Sequence, residues 1–331
     1  MTARRATGAR FFCLCMSPAI DATVKLPRAP KGEGEIFKDV ADEENVGGKA
    51  VNVARFLALR GAAVACGGIL GEDNAAPFER ELAAYGVKDA FLRVTGATRR
   101  NEMVTWPGGA FKMNRAAFPH LEGSFDPMVA VEVMVCEAQS SVGGDKVAVI
   151  SGSLPPSIPK DFYARAVTRF KSLGWAVALD ASGEAMKLAL DSLPDVVKPN
   201  AEECEALVGF VPKTPGDFAR ATALLREKAA HVVISDGAAG AWFDGEFVAA
   251  PKVDVVDTTA AGDTLLAEFC WRMYGMGTRP ACPQSLDLAD AARWAVAAGS
   301  AACTMPGGAP PDSKSIEALE REIASRLGER E

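Results

Sequence analysis

The sequence predicts an α/β protein: a mostly parallel central sheet with helices on both faces. Three observations carry that expectation. Short β-rich apolar runs alternate with longer amphipathic patterns through most of the chain, the order that joins parallel strands by helical crossovers. The composition can fill the core such a sheet needs, with 331 residues, 49% of them hydrophobic, and a mean hydropathy of +0.07. Two segments, 24–45 and 93–118, break the rhythm with turn residues and short extended pieces, which suits a small β flap inserted into the larger domain.

The elements follow in chain order. An arginine-bearing polar tail leads into an apolar piece, Phe11 to Met16, too short for the apolar centre of a secretory signal, so it reads as a tail and a first strand. "VGGKAVNVARFLALRG" reads as a tight loop opening a helix, with Gly47, Gly48 and Lys49 on the loop and Asn52 one turn on. "KVAVISGSLP" is a strand running into a loop, "DFYARAVTRFKSLG" an amphipathic helix stopped by glycine, and "WAVALDAS" the next strand. "DVVKPNAEECEALVG" and "HVVISDGAAGAWFDGEFV" continue the alternation, "DTTAAGDTLLAEF" is a polar turn opening an apolar helix, and "MGTRPACPQSLDLAD" is a loop before a helix. Length alone suggests about two domains of about 150 residues, yet α/β folds run past that as one unit.

Bulk properties exclude several classes. A net charge of −7 without a long Lys/Arg run argues against nucleic acid or an anionic membrane as partner, and leaves room for a small anionic ligand. No window approaches the roughly 20 apolar residues that span a bilayer, and a cytoplasmic location is expected. Eight cysteines without a CxxC pair, and only His120 and His231 to assist them, suggest reduced, mostly buried thiols in place of a metal cluster.

The chemistry concentrates in "DTTAAGD". Thr258 to Gly262 are small residues ahead of a helix, so the amides of the turn can converge on one point with the helix dipole behind them, an anion site. A carboxylate beside such a site is costly unless it handles a proton, and Asp263 is placed to accept one from a hydroxyl attacking a phosphoryl group. The competing reading is a helix N-cap, since aspartate is a preferred cap. Lys49 supplies a cation for a negative group on a ligand at the Gly47-Gly48 loop, which is not a P-loop because the chain has no GxxxxGK[ST] run. Asn200 and Glu203, three apart at a helix start, suit either a magnesium ion held through water or an ordinary solvated helix end.

Seven ordered motifs then carry a resemblance. "SPAID" (Ser17 to Asp21), "GGKAVNVAR" (Gly47 to Arg55), "GATRRN" (Gly96 to Asn101), "SGSLPP" (Ser151 to Pro156), "VKPNAEE" (Val197 to Glu203), "SDGAAGAWF" (Ser235 to Phe243) and "DTTAAGDTLLAEF" resemble the PfkB, or ribokinase-like, carbohydrate kinases, and look most like the 1-phosphofructokinase and tagatose-6-phosphate kinase branch. The resemblance implies a three-layer α/β/α sandwich over residues 1–331, with segments 24–45 and 93–118 forming a small β-sheet lid that also joins two subunits. It implies ATP and Mg2+ as cofactors and a sugar or sugar phosphate as substrate. Asp263 would be the base and Ala260, Ala261 and Gly262 the anion hole. Asp21, Gly48, Lys49 and Asn52 would hold the sugar, and Arg99 with Ser153 a phosphate already on it. Asn200, Ser235, Gly237 and Gly240 would meet the nucleotide, Asn200 and Glu203 would hold the metal through water, and "AAGSAACTMPGGAP" would help line the adenine site.

The chain departs from that pattern at Ala260 and Ala50, where relatives usually carry glycine, and at Glu268, expected to add bulk and charge near the site. An alanine at 260 costs on the order of 1 kcal/mol if the position needs positive φ. Arg99-Arg100 and "TWPGGAFKMNRAAFP" also differ from the usual lid. Three functions stay in view: phosphorylation of a phosphorylated ketohexose, phosphorylation of a neutral sugar or nucleoside, and a sensor that binds without catalysis.

Overall fold

The computed structural model describes residues 9–38, 40, 42–118, 126–139, 144–276 and 288–328. Its strands are β1 (Arg10–Cys15), β2 (Ala19–Lys25), β3 (Asp42–Gly47), β4 (Ala63–Gly71), β5 (Lys88–Val94), β6 (Arg100–Trp106), β7 (Gly109–Met113), β8 (Lys146–Ser151), β9 (Ala176–Asp180), β10 (Val196–Val197), β11 (His231–Ser235), β12 (Gly240–Phe243) and β13 (Glu246–Ala249). Its helices are α1 (Lys49–Leu59), α2 (Ala76–Ala84), α3 (Met128–Gln139), α4 (Phe162–Ser172), α5 (Gly183–Leu190), α6 (Cys204–Val208), α7 (Pro215–Arg226), α8 (Ala261–Cys270), α9 (Leu288–Ala302) and α10 (Ser313–Gly328). His120 and most of the expected loop "MGTRPACPQSLDLAD" lie outside the described residues.

Nine strands form one sheet in the order β13-β12-β11-β10-β9-β8-β1-β4-β5. Every neighbouring pair from β5 to β11 is parallel, and β12 runs antiparallel between β11 and β13 at the edge. Successive strand side chains point to opposite faces, so β1 feeds two separate cores. Phe11, Cys13 and Cys15 pack with Phe56 of α1, Phe78 of α2, Phe269 of α8, Val296 of α9 and Ile316 of α10. Phe12 and Leu14 pack with Met134 of α3, Phe162 of α4, Met186 of α5 and Phe218 of α7. Each fully buried side chain of this size contributes about 1.5–3 kcal/mol by leaving water. The result is the expected α/β/α sandwich.

A second sheet, β3-β2-β6-β7, stands beside the first. Its strand β2 pairs antiparallel with β3 and parallel with β6, and β7 closes it as a hairpin with β6. The irregular segments 24–45 and 93–118 contribute to it, but its boundaries differ from the sequence reading. Ala19–Lys25 supplies an inner strand, while residues 93–94 belong to β5 of the large sheet. Arg100 is spent on this small sheet, bonded to Asp42 at 2.6 Å and Glu44 at 2.9 Å, so of the arginine pair only Arg99 is left for the cleft.

Cys13, Cys15, Cys66, Cys204 and Cys270 are buried free thiols, with Cys303 half-buried and Cys136 exposed. Among the described residues no helix is long and apolar enough to cross a membrane.

Candidate active site

The motifs converge at the carboxyl ends of the parallel strands, where open α/β sheets place their ligands. Gly152 follows β8, Asp180 ends β9, Asn200 follows β10, and Ser235 ends β11. Helices α1 and α8, packed on one face, aim their N-termini at the same place.

Asp263 lies in the first turn of α8, but it is not the cap. Ala260 holds that position, with φ 64° and ψ 2° and no side-chain cap bond, so the N-cap reading of Asp263 fails. The carboxylate is instead buried, and its Oδ2 accepts a hydrogen bond from the Asn52 side-chain amide at 2.8 Å. Burial, with the nearby Asp180 charge, pushes its pKa up to about 6, against the pull of Lys49, the Asn52 donor and Lys198. A carboxylate tuned to about 6 is ionised at neutral pH and basic enough to take a proton.

The backbone before it forms the anion-binding turn. The first helical bond runs from the Thr264 N–H to the Ala260 carbonyl at 2.8 Å, so the preceding amides face the helix N-terminus. The Ala261 N–H is already engaged, donating to Thr258 at 3.3 Å, which shifts the weight of the anion hole onto Gly262 and its successor. A Cβ at Gly262 would sit 3.4 Å from the Lys198 Nζ, so an anion at this turn meets an ammonium as well as amides. Ala260 does occupy the left-handed region that disfavours L-residues. Ala260→Gly is therefore expected to raise the unfolding free energy by up to about 1 kcal/mol in urea, the backbone relief exceeding glycine's extra unfolded-state entropy. A loss of stability would mean that the turn carries no strain.

Ala50 has no such cost: it is fully buried in the first turn of α1, where a methyl packs and helical backbone needs no glycine. Glu268 does not bring the unpaired charge that was expected of it. It is fully buried on α8 but pairs with Arg60 at 2.8 Å and Arg272 at 2.9 Å, so its charge is neutralised beside α9 and does not reach the site.

Next to Asp263 lies a buried charge cluster. Asp180, fully buried, accepts from the Lys49 ammonium at 3.2 Å and the Ser151 hydroxyl at 3.3 Å, and the Lys198 Nζ is 3.4 Å from it. Burial alone would lower the Lys49 pKa, but Asp180, Asp263 and Glu203 together hold it above the ordinary lysine value, so it stays charged. Asp180 and Lys198 went unread in the sequence. An acid ending an apolar parallel strand, as in "WAVALD", was the available signal.

The small sheet closes the other side. Asp21 on β2 accepts from the Asn101 amide at 2.8 Å. A Cβ at Gly47 would lie 2.1 Å from the Asp21 Oδ2, and Gly48, with φ 121°, opens α1 in a conformation reserved for glycine. Asp21, Asn45, Asn101, Asp257, Thr259 and Gly307 line one concavity there. Asp257 holds its rim, accepting from the Thr259 N–H at 2.8 Å and the Gly307 N–H at 3.1 Å. Gly307 and Gly308, part of the stretch that the resemblance assigns to the adenine site, sit against Asn45 and Ala260. Arg99 is half-buried and anchored by three carbonyls, Pro18 and Ser17 at 3.3 Å and Arg115 at 2.9 Å. Burial draws its pKa down, partly offset by Cys15 and Asp21. Ser153 is exposed beyond Gly152, whose carbonyl takes the Tyr163 hydroxyl at 3.0 Å.

After β10, Asn200 and Glu203 cap one another. The Asn200 N–H donates to the Glu203 Oε2 at 2.9 Å, and the Glu203 N–H to the Asn200 Oδ1 at 2.7 Å. A backbone bridge joins Asn200 to Ser235, bringing the "KPNAEE" and "SDGAAG" loops together. At Gly237, with φ 53°, a Cβ would meet nothing within 4 Å, whereas Gly240 is required by the hairpin itself, since a Cβ there would lie 2.1 Å from the Val248 carbonyl.

Comparison with known proteins gives the family and the fold. The family described as pfkB family carbohydrate kinase matches residues 14–315. A 1-phosphofructokinase from Rhodobacter capsulatus is 35% identical over 322 residues, covering 95% of this chain and 96% of its own. One from Vibrio cholerae is 31% identical over 315 residues, covering 94% of both. In fold, the chain is similar to phosphofructokinase-2 from Escherichia coli, with a TM-score of 0.81, 24% identity and coverage of 96% and 99%.

Proposed function

Since the chain belongs to the pfkB family of carbohydrate kinases, we propose that it transfers the γ-phosphoryl of ATP to a hydroxyl of a phosphorylated ketohexose, giving a bisphosphate. The observation that carries the reading is Asp263: a buried carboxylate with its pKa raised to about 6, one turn into a helix whose free amides and Lys198 make an anion site. The 1-phosphofructokinase relatives support a phosphosugar as acceptor.

The chain's own residues supply position and charge. Asp21 and Asn101 hold sugar hydroxyls, the Gly47-Gly48 loop allows close approach, and Lys49 with Lys198 offsets phosphate charge. Asp263 takes the proton of the attacking hydroxyl while the amides from Gly262 onward receive the transferred group. The mutual capping of Asn200 and Glu203 uses one Glu203 oxygen, and its other oxygen would hold a magnesium ion through water. When bound with the nucleotide, magnesium neutralises phosphate charge. Ser235 and Gly237 flank the nucleotide at the end of β11. The small sheet, segments 24–45 and 93–118 included, acts as the lid, and its outer strand β7 leaves Phe111 and Met113 exposed for a second copy. A cytoplasmic kinase fits this reading.

One observation favours a neutral sugar instead: Arg99 already serves three backbone carbonyls. The test is ADP release from magnesium ATP across fructose 1-phosphate, fructose 6-phosphate, tagatose 6-phosphate, fructose, ribose and a nucleoside, with Arg99→Met in parallel. A phosphosugar should give the largest response, and Arg99→Met should lower its kcat/KM about 10- to 100-fold, the loss of charge-assisted bonds to a phosphate. Turnover confined to neutral acceptors and indifferent to Arg99→Met would move the assignment to them. ATP binding without turnover on any acceptor would leave a sensor.

A further inference from the structure

Asn52 meets the base, but something must decide which end of its amide does so. Arg55, one helical turn on and 4% exposed, donates from Nη2 to the Asn52 Oδ1 at 2.6 Å and to the Gly308 carbonyl at 3.1 Å. Its Nη1 donates to Glu81 of α2 at 2.7 Å. The chain Glu81, Arg55, Asn52, Asp263 is continuous, and each link is a hydrogen bond. If the Asn52 amide turned over, its NH2 would face a guanidinium and its carbonyl a carboxylate, two unsatisfied or repulsive contacts in a buried place.

We propose that Arg55 is a positioning residue for the kinase reaction: by occupying the Asn52 carbonyl it forces the Asn52 NH2 onto Asp263, and through Gly308 it ties the anion-binding turn to the same helix. A Cβ on Gly308 would lie 3.5 Å from that of Ala260 and 3.3 Å from the Thr259 side chain, so the carbonyl Arg55 grips belongs to the segment that backs the turn. The mechanism so far makes no use of Arg55, and a buried arginine on the site-facing helix is otherwise an expense to the fold.

The charges facing Asp263 are Asp180 at the end of β9, which raises its pKa, and Lys49 of α1 and Lys198 after β10, which lower it. The Asn52 donor adds to the lowering side. With Arg55 removed, Asn52 is free to rotate, the donation weakens and Asp263 binds its proton more tightly.

The inference rests on Asp263 acting as base, so its first readout needs no activity. In ligand-free protein labelled with 13C at aspartate carboxyls, the Asp263 signal is identified by its absence in Asp263→Asn and titrated in wild type, Arg55→Met, Asn52→Leu and the double variant. Arg55→Met should move the titration up by about one pH unit, the scale of a lost hydrogen bond to a charged group. Asn52→Leu should move it as far, and the double variant no further. The acid limb of kcat/KM on the responsive phosphosugar should shift alike. An unmoved titration in Arg55→Met, or additive shifts showing a direct charge effect, would overturn the proposal. Should Arg55→Met fail to fold, Glu81→Gln, at a partly exposed partner, takes its place with a smaller upward shift expected and no shift overturning. A normal titration response with no turnover on any sugar would sink the kinase reading, and with it the part of Arg55 in catalysis, while the coupling of Arg55 to Asp263 through Asn52 would stand.

Discussion

Asp263→Asn is expected to lower turnover by roughly two to four orders of magnitude, the usual contribution of a positioned general base, while unfolding at the same temperature as wild type or higher. Both halves follow from burial. The folded pKa of Asp263 lies at about 6, above the roughly 3.9 of an unfolded aspartate, so the ionised carboxylate favours the unfolded chain. That penalty is fully present above pH 6, on the order of 2–3 kcal/mol, shrinks as pH falls through 6, and is gone below the unfolded pKa. Asparagine keeps the shape without the charge, so its stability advantage should be visible at pH 8 and narrow toward pH 4 in parallel urea titrations. Wild-type kcat/KM should fall on the acid side of pH 6 for the same reason. Undiminished turnover in the variant would remove Asp263 from the mechanism, and destabilisation at pH 8 would mean that its charge holds the fold together.

The second large effect concerns Asp180. Asp180→Asn leaves the Lys198 ammonium, itself buried, and Lys49 facing a neutral amide at 3.4 and 3.2 Å. Removing one partner of a buried pair typically costs about 3–5 kcal/mol, because the remaining charge stays desolvated. A comparable loss should appear in urea unfolding at pH 7. The same change removes the charge that raises the Asp263 pKa, so the acid limb of kcat/KM should move to lower pH, opposite in direction to Arg55→Met. A variant as stable as wild type, or with an unmoved limb, would show that Asp180 neither anchors the lysines nor tunes the base.

The fold was largely legible because it is written in local periodicity. "KVAVIS", "WAVALD" and "HVVIS" are short apolar runs with the length of strands, and α4 runs Phe162–Ser172 as its amphipathic pattern required. Gly47, Gly48, Lys49 and Asn52 stand together for the same reason, on one loop and the first turn of the helix it opens. Less legible were features that depend on what a residue faces. Glu268 and Asp263 share one helix, yet one is neutralised by Arg60 and Arg272 while the other meets Asn52. Gly240 reads as part of a ligand loop and is held by the hairpin.

What the sequence determined by itself was therefore the class of fold, the order of its elements and the loops on which the chemistry sits, since hydrophobic period and turn chemistry act between near neighbours. What only the tertiary structure decided was the state of the groups in those loops. Asn52 and Asp263 are 211 residues apart, and Lys49 and Asp180 are 131 apart. Desolvation and Coulomb interaction act through space across such separations, so the raised pKa of the base, the charge on Lys49 and the part of Arg55 appear only once the sheet has brought the ends of its strands together.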